Sequence, residues 1–261
     1  MIRTFKISAV LLLIAIAALF SIQITNAYDN HSKMLFYDNK GIFLLSFSGN
    51  KLDSVKLAPS PSSYTYSFDS KVISCTALYG SVYTLVENND VPNSCDVYKA
   101  NGSELSKAVT LKNINVNNSS KISVDNNGNI YIINSSGKIF LYNKSGGFIK
   151  SYADKVNNIF PINGYNIAYR NNDVYKVTAS SMTLLSSAGN KSPFYKVSEN
   201  YLGDYNGNIY KLDSISNVFD TDIKGFYTTA QISDYIVTHH NKELYVYSKN
   251  NGSFINRITY P

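Results

Sequence analysis

Beyond residue 28, apolar and polar positions alternate with a period near two, and no stretch holds a 3.6-residue repeat long enough for a helix. Short runs of Ile, Val, Leu, Tyr and Phe are bounded by Asn, Gly, Asp and Ser. That grammar predicts strands joined by tight polar turns. One element recurs six times, an aliphatic residue followed by an aromatic: Ile42-Phe43, Val97-Tyr98, Ile139-Phe140, Val174-Tyr175, Ile209-Tyr210 and Leu244-Tyr245. The aromatic positions are 55, 42, 35, 35 and 35 residues apart, and insertions at Pro59–Ser63 and Asn88–Ser94 account for the longest interval.

Upstream of these pairs come strands that end in tight turns. Examples are Met34–Tyr37 before Asp38-Asn39-Lys40-Gly41, Asn166–Tyr169 before Asn171-Asn172-Asp173, and Tyr235–Thr238 before His239-His240-Asn241-Lys242. A first strand lies further upstream (Lys121–Val124, Asn158–Ile162, Pro193–Val197), and a last one follows, as in Phe254–Tyr260. Four antiparallel strands per repeat of 35 to 55 residues define a propeller blade. The expected fold is therefore all-β, a six-bladed β-propeller, with five or seven blades or a β-sandwich as alternatives. The first repeat shows only three evident strands before Pro59, because Tyr28–Lys33 is short and polar. Ring closure then falls to packing between the first and last blades, or to a C-terminal strand completing the first.

The stretch Ile122-Ser123-Val124-Asp125-Asn126-Asn127-Gly128-Asn129-Ile130-Tyr131-Ile132-Ile133, continuing to Lys138-Ile139-Phe140-Leu141-Tyr142, resembles a blade of the NHL, YVTN and PQQ-like propellers. The resemblance implies the architecture. These families include enzymes, scaffolds and receptors, so it implies no activity.

The N-terminus adds a destination. Arg3 and Lys6 precede an apolar core, Ala9–Phe20, and Thr25-Asn26-Ala27 forms a small-x-small site. This reads as a signal peptide, residues 1–27, ahead of a single propeller domain, 28–261. An uncleaved anchor is the alternative, but Ala9–Ile24 is 16 residues, short of the ~20 that span a bilayer comfortably. The protein is expected to be extracellular or at the cell surface, touching membrane only through an uncleaved leader.

Composition then excludes partners. The net charge of +6 becomes +4 once Arg3 and Lys6 leave, and the remaining cations are scattered. No basic stripe interleaved with aromatics marks a nucleic-acid surface. Cys75 and Cys95 are an even number in an exported chain, so they read either as a disulfide or as two small core residues. Eight Asn-x-Ser/Thr acceptors, at Asn30, Asn101, Asn117, Asn118, Asn134, Asn143, Asn190 and Asn251, fall mostly in predicted turns.

Candidate chemistry is sparse. His239 and His240 share a turn, and Arg170, Asp204, Tyr205 and Asp38 sit in comparable places, so these six form the candidate binding set. Asp125-Asn126-Asn127-Gly128-Asn129 and Asp204-Tyr205-Asn206-Gly207-Asn208 look like calcium loops but lack the acidic run and distal Glu. They read as hairpin turns, with no metal and no cofactor. Tyr64, Tyr66 and Tyr205 are expected in loops, where tyrosine serves recognition. The leading expectation is a non-catalytic module for a protein or glycan. The alternatives are a hydrolase or lactonase with acid and His residues at the channel mouth, and a structural subunit of a surface layer or filament.

Overall fold

The computed structural model describes residues 33–38, 41–58, 62–78, 80–152, 155–162, 164–171, 173–187, 194–198, 200–225, 229–232, 234–240 and 243–259. Residues 1–27, where a leader is expected, lie outside them, as do Asn30 and Asn190. The chain is built from 24 strands in six four-stranded antiparallel sheets. Blade one holds β1 (Lys33–Asp38), β2 (Gly41–Ser48), β3 (Lys51–Ala58) and β4 (Ser62–Ser67). Blade two holds β5 (Val72–Leu78), β6 (Ser81–Glu87), β7 (Ser94–Asn101) and β8 (Glu104–Lys112). Blade three is β9 (Lys121–Val124), β10 (Ile130–Ile133), β11 (Ile139–Tyr142) and β12 (Phe148–Ser151). Blade four is β13 (Val156–Ile162), β14 (Tyr165–Arg170), β15 (Asp173–Val177) and β16 (Met182–Ser187). Blade five is β17 (Phe194–Lys196), β18 (Tyr201–Asp204), β19 (Asn208–Lys211) and β20 (Asn217–Asp220). Blade six is β21 (Thr229–Ile232), β22 (Tyr235–His240), β23 (Glu243–Ser248) and β24 (Phe254–Thr259).

Strands pair in chain order within every blade, and the first strand of each is innermost. β5 packs beside β9, β9 beside β13, β13 beside β17, and β1 lies against both β5 and β21. The core is a series of layers between blades rather than one central mass. Leu45, Phe68 and Val82 fill the space between blades one and two. Leu85, Val97 and Ile122 do so between two and three, and Ile139, Val156 and Ala168 between three and four. Tyr169, Phe194 and Tyr210 stack edge-on between four and five, with centroids 5.5 and 5.1 Å apart. Tyr195, Ile209 and Ile236 join five to six. A strand flanked by two such layers is covered on both faces, which explains why β5 and β10 are buried at every position.

Two sequence expectations are corrected here. The first blade is four-stranded: Met34–Tyr37 belongs to its first strand and not its second, and its fourth strand, β4, follows Pro59. Closure accordingly rests on β1 packing beside β21, with no strand shared between the first and last blades. The 55-residue interval also has a different origin, because Ile42-Phe43 lies in the second strand of its blade whereas Val97-Tyr98 lies in the third. The interval therefore spans one strand more than the others, the third strand β3.

The repeating structural mark is a β-bulge. In blades two to six the register slips where the third strand meets the fourth, at Val97/Tyr98, Leu141/Tyr142, Val174/Tyr175, Ile209/Tyr210 and Val246/Tyr247. The skipped residues are Ala108, Ile149, Leu185, Val218 and Ile255, aliphatic each time. By this mark the equivalent pairs in blades three and six are Leu141-Tyr142 and Val246-Tyr247, two residues beyond the pairs read from the sequence. The bulges also account for most of the exposed large apolar side chains. Phe148, Ile149, Leu184, Leu185, Phe254 and Ile255 sit at or beside inserted positions on outer strands.

Cys75 and Cys95 are not bridged, which removes the disulfide reading. β6 separates their strands, and Cys75 lies opposite Thr84 while Cys95 lies opposite Glu87. That places the two roughly 10 Å apart across the sheet and about as far along it, beyond the ~7 Å that a disulfide can close. They also face opposite layers, Cys75 toward blade one and Cys95 toward blade three. Burial pushes both thiols up to about 12. Reduction is expected to leave the intact mass unchanged, with alkylation of both thiols only under denaturing conditions. A mass lower by two hydrogens before reduction would contradict this.

Candidate functional site

A blade of four antiparallel strands sends its first and third turns to one end of the ring. Its middle turn goes to the other end, together with the link to the next blade. The two ends differ in kind. The hairpin face carries turns of two to five residues, such as 102–103, 125–129 and 212–216. Among the described residues the connection face carries the longest segments between strands, 113–120 between β8 and β9 and 88–93 in the middle of blade two, together with 221–225 after β20. Hydrogen bonds tie these links to neighbouring turns: Ile114 N to Asn93 O at 2.9 Å, Ser135 N to Asn115 O at 3.0 Å, and Gly225 N to Tyr205 O at 2.8 Å. Lys71 Nζ donates to Asn118 Oδ1 at 2.7 Å, joining two links.

Arg170, Asp204 and His240 end β14, β18 and β22, the second strands of three consecutive blades. They occupy equivalent places on the connection face, with Tyr205 beside Asp204 and His239 before His240. Asp38 ends β1, a first strand, and so lies on the hairpin face, apart from the other five. Tyr205 is 46% exposed and His240 is exposed, while His239 is buried. Tyr64 and Tyr66 are not in a loop. They belong to β4 and pack against blade two, Tyr66 through a hydrogen bond from its hydroxyl to the Gly102 carbonyl.

Asp204 is a scaffold residue. Its carboxylate accepts from Asn206 N at 2.9 Å, Asn208 N at 3.0 Å, Asn208 Nδ2 at 2.8 Å and Tyr210 Oη at 3.1 Å. Asp125 repeats the set with Asn127 N, Asn129 N, Asn129 Nδ2 and Tyr131 Oη at 2.9, 3.0, 2.9 and 3.0 Å. Both turns require a glycine with positive φ, Gly128 at 79° and Gly207 at 90°. At Gly207 a Cβ would also meet the Ile223 carbonyl oxygen at 2.7 Å. The Asp125 turn joins first and second strands on the hairpin face, whereas the Asp204 turn joins second and third strands on the connection face. A constellation that works at both ends and in non-equivalent turns is turn chemistry. Burial, then the adjacent carboxylate, holds the Tyr131 and Tyr210 hydroxyls well above the ordinary tyrosine range.

Two further turns show why aspartate and tyrosine occur together. Asn134 accepts from Ser136 N and Lys138 N, and Asn143 from Ser145 N and Gly147 N. An amide lacks the second oxygen, which in the aspartate turns takes the asparagine amide and the tyrosine hydroxyl. The one oxygen of Asn134 already has a third donor in Ser136 Oγ at 2.9 Å. The residues six positions on are accordingly Phe140 and Ile149, where the aspartate turns have Tyr131 and Tyr210. The spacing Asp-x-x-Gly-x-x-Tyr was legible in the sequence as this signal.

The innermost strands present Ser74, Thr76, Ser123, Asn158 and Thr229 as buried polar groups, with Lys121 beginning β9 and Lys196 ending β17. Burial holds the Lys121 amine below the ordinary lysine range. Apart from Asp38 at the end of β1, these strands contain no carboxylate and no histidine. Among the described residues no group of three His, Cys, Asp or Glu side chains is placed to hold a metal ion. Asn101, Asn117, Asn118, Asn134, Asn143 and Asn251 all lie at strand ends, turns or links.

The fold and its two unequal faces define the chain as a six-bladed β-propeller. No family model matches it, and no curated protein matches it in sequence. Solved structures do. A computationally designed protein, Ika8, is similar over 89% of this chain and 88% of its own, at 8% identity and a TM-score of 0.52. A nidogen/laminin complex is similar over 84% of this chain and 93% of its own, at 11% identity and a TM-score of 0.55. BamB from Moraxella catarrhalis is similar over 90% of this chain and 78% of its own, at 11% identity and a TM-score of 0.46. At such identities the likeness is one of fold.

Proposed function

We propose that the chain is an exported propeller, of the group that the NHL, YVTN and PQQ-like blades typify, which binds a protein or glycan partner through its connection face without transforming it. The observation that carries this reading is the inequality of the two faces. Long irregular segments held on a rigid ring are where binding residues concentrate, and Arg170, Tyr205 and His240 accompany them. Tyrosine and arginine are the side chains most enriched at recognition surfaces. The leader supports an extracellular or cell-surface location, and the nidogen/laminin complex offers a fold of this kind in a protein assembly. A hydrolase or lactonase would need several acid and base groups at one channel mouth, whereas the innermost strands supply Ser, Thr, Asn and Lys with Asp38 as their one carboxylate.

The test is a glycan array and a panel of extracellular proteins probed with the wild-type chain, with Tyr205→Ser/Arg170→Ala/His240→Ala, and with Lys144→Ala on the hairpin face. The triple variant is expected to weaken binding about tenfold or more at unchanged melting temperature, and Lys144→Ala to leave it intact. Binding insensitive to the triple variant and lost on the hairpin face would overturn the reading.

A further inference from the structure

Outer strands of a sheet are edges, and their unpaired backbone groups pair with other chains unless something interrupts them. Five of the six blades carry an interruption. β8, β12, β16, β20 and β24 each contain a bulge where they meet the third strand. Four of those five also carry charge: Glu104, Lys107 and Lys112 on β8, Lys150 on β12, Asp220 on β20 and Arg257 on β24.

β4 has neither device. It pairs with β3 in unbroken register, Lys51↔Ser67 through Lys56↔Ser62, and its sequence, Ser-Ser-Tyr-Thr-Tyr-Ser, is uncharged. The bulge of its blade lies one strand further in, at Ile42/Phe43 between β2 and β3. Among the described residues it is the one outer strand that is both regular and uncharged. Its exposure alternates, with Ser63, Thr65 and Ser67 toward solvent and Tyr66 buried. Two side chains tie the strand to its surroundings, the Tyr66 hydroxyl donating to the Gly102 carbonyl and Thr65 Oγ1 donating to Asp53 Oδ1 at 2.7 Å.

We infer that the outer edge of β4 pairs with the β4 of a second copy, antiparallel across a two-fold axis at Thr65. The strand is complementary to itself in that register. Thr65 meets Thr65, Ser63 meets Ser67, and Tyr64 meets Tyr66, so the hydroxyl face and the aromatic face each match their own kind. Thr–Thr and aromatic cross-strand pairs are favourable, and no like charges oppose one another. The interface is isologous, and bulged edges elsewhere on the ring give a closed dimer rather than a filament. An interface of one strand pair lies well below the size of permanent assemblies, so the dimer is a dissociating one. This inference stands apart from the connection face, which remains free in both copies.

The experiment is sedimentation equilibrium of the purified chain over a series reaching high micromolar concentration, with three variants checked for an unchanged melting temperature. Wild type is expected to show a reversible monomer–dimer equilibrium. Ser63→Lys/Ser67→Lys, which sets lysine against lysine twice, is expected to raise the dissociation constant about tenfold. Ile149→Lys on the bulged strand β12 is expected to change nothing. Thr65→Cys is expected to yield a disulfide-linked dimer on oxidation, since Cys75 and Cys95 are buried. A monomer at every concentration, a dimer indifferent to the double lysine variant, or no cross-link at position 65 in a dimerising chain would each overturn the inference.

Discussion

Asp204→Ala is expected to lower the stability of the folded chain by about 3 kcal/mol, and Asp125→Ala by a similar amount. Each substitution strips one acceptor group from four donors at once, and the Tyr210 or Tyr131 hydroxyl is left buried without its partner. A buried polar group so orphaned costs ~1–3 kcal/mol, with the lost turn bonds adding to it. Asn134→Ala, which removes a single oxygen serving two backbone N–H groups in a half-exposed turn, is the contrast, at about 1 kcal/mol. Urea unfolding of the three variants checks the order. If Asp204→Ala left stability intact and abolished binding, the carboxylate would belong to the recognition surface after all.

The second large effect is alkaline unfolding. Burial pushes Tyr66 and Tyr142 up to about 12, along with Cys75 and Cys95, and holds Tyr131 and Tyr210 higher still. All these groups keep their protons longer in the folded chain than in the unfolded one. The stability they represent is complete below the unfolded thiol and phenol values, ~9 and ~10, and drains away as pH climbs toward 12, at ~1.4 kcal/mol per group per unit. Lys121 has the opposite sign, because its depressed amine adds stability as pH rises toward the ordinary lysine value, but it is one group against six. The expected result is a cooperative loss of structure between about pH 10 and 12, with phenolate absorbance rising in the same transition. Tyrosines that ionised one by one near their ordinary value while the fold persisted would mean that the layers between blades are open to water.

These two effects mark what the sequence made legible and what it did not. The six repeats were visible because strands buried on both faces leave aliphatic and aromatic residues at regular intervals, as at Val174-Tyr175 and Ile209-Tyr210. Their phase was not visible. A bulge shifts register by one residue without changing composition, so Leu141-Tyr142 could not be told from Ile139-Phe140. Blade one was misread for a related reason. β4 is Ser- and Tyr-rich, follows two prolines, and lacks the apolar run that announces a strand. The carboxylate of Asp204 was grouped with Arg170 and His240 because position along the chain placed all three at strand ends, which was right. What position could not reveal was that its oxygens were already taken by the turn, although Tyr210 six residues on was the clue. Asp38 was misplaced because its strand, β1, is the first of its blade, not the second.

Closure of the ring is the claim on which the rest depends, since the two faces exist only if blade six meets blade one. Hydrogen–deuterium exchange followed by mass spectrometry tests it directly. In a closed ring, amides of β1 and β21 are expected to be as protected as those of β9 and β13, and the outer strands to exchange first. If β1 and β21 exchanged as fast as β12 and β24 while β9 stayed protected, the blades would form an open arc and the account would be wrong.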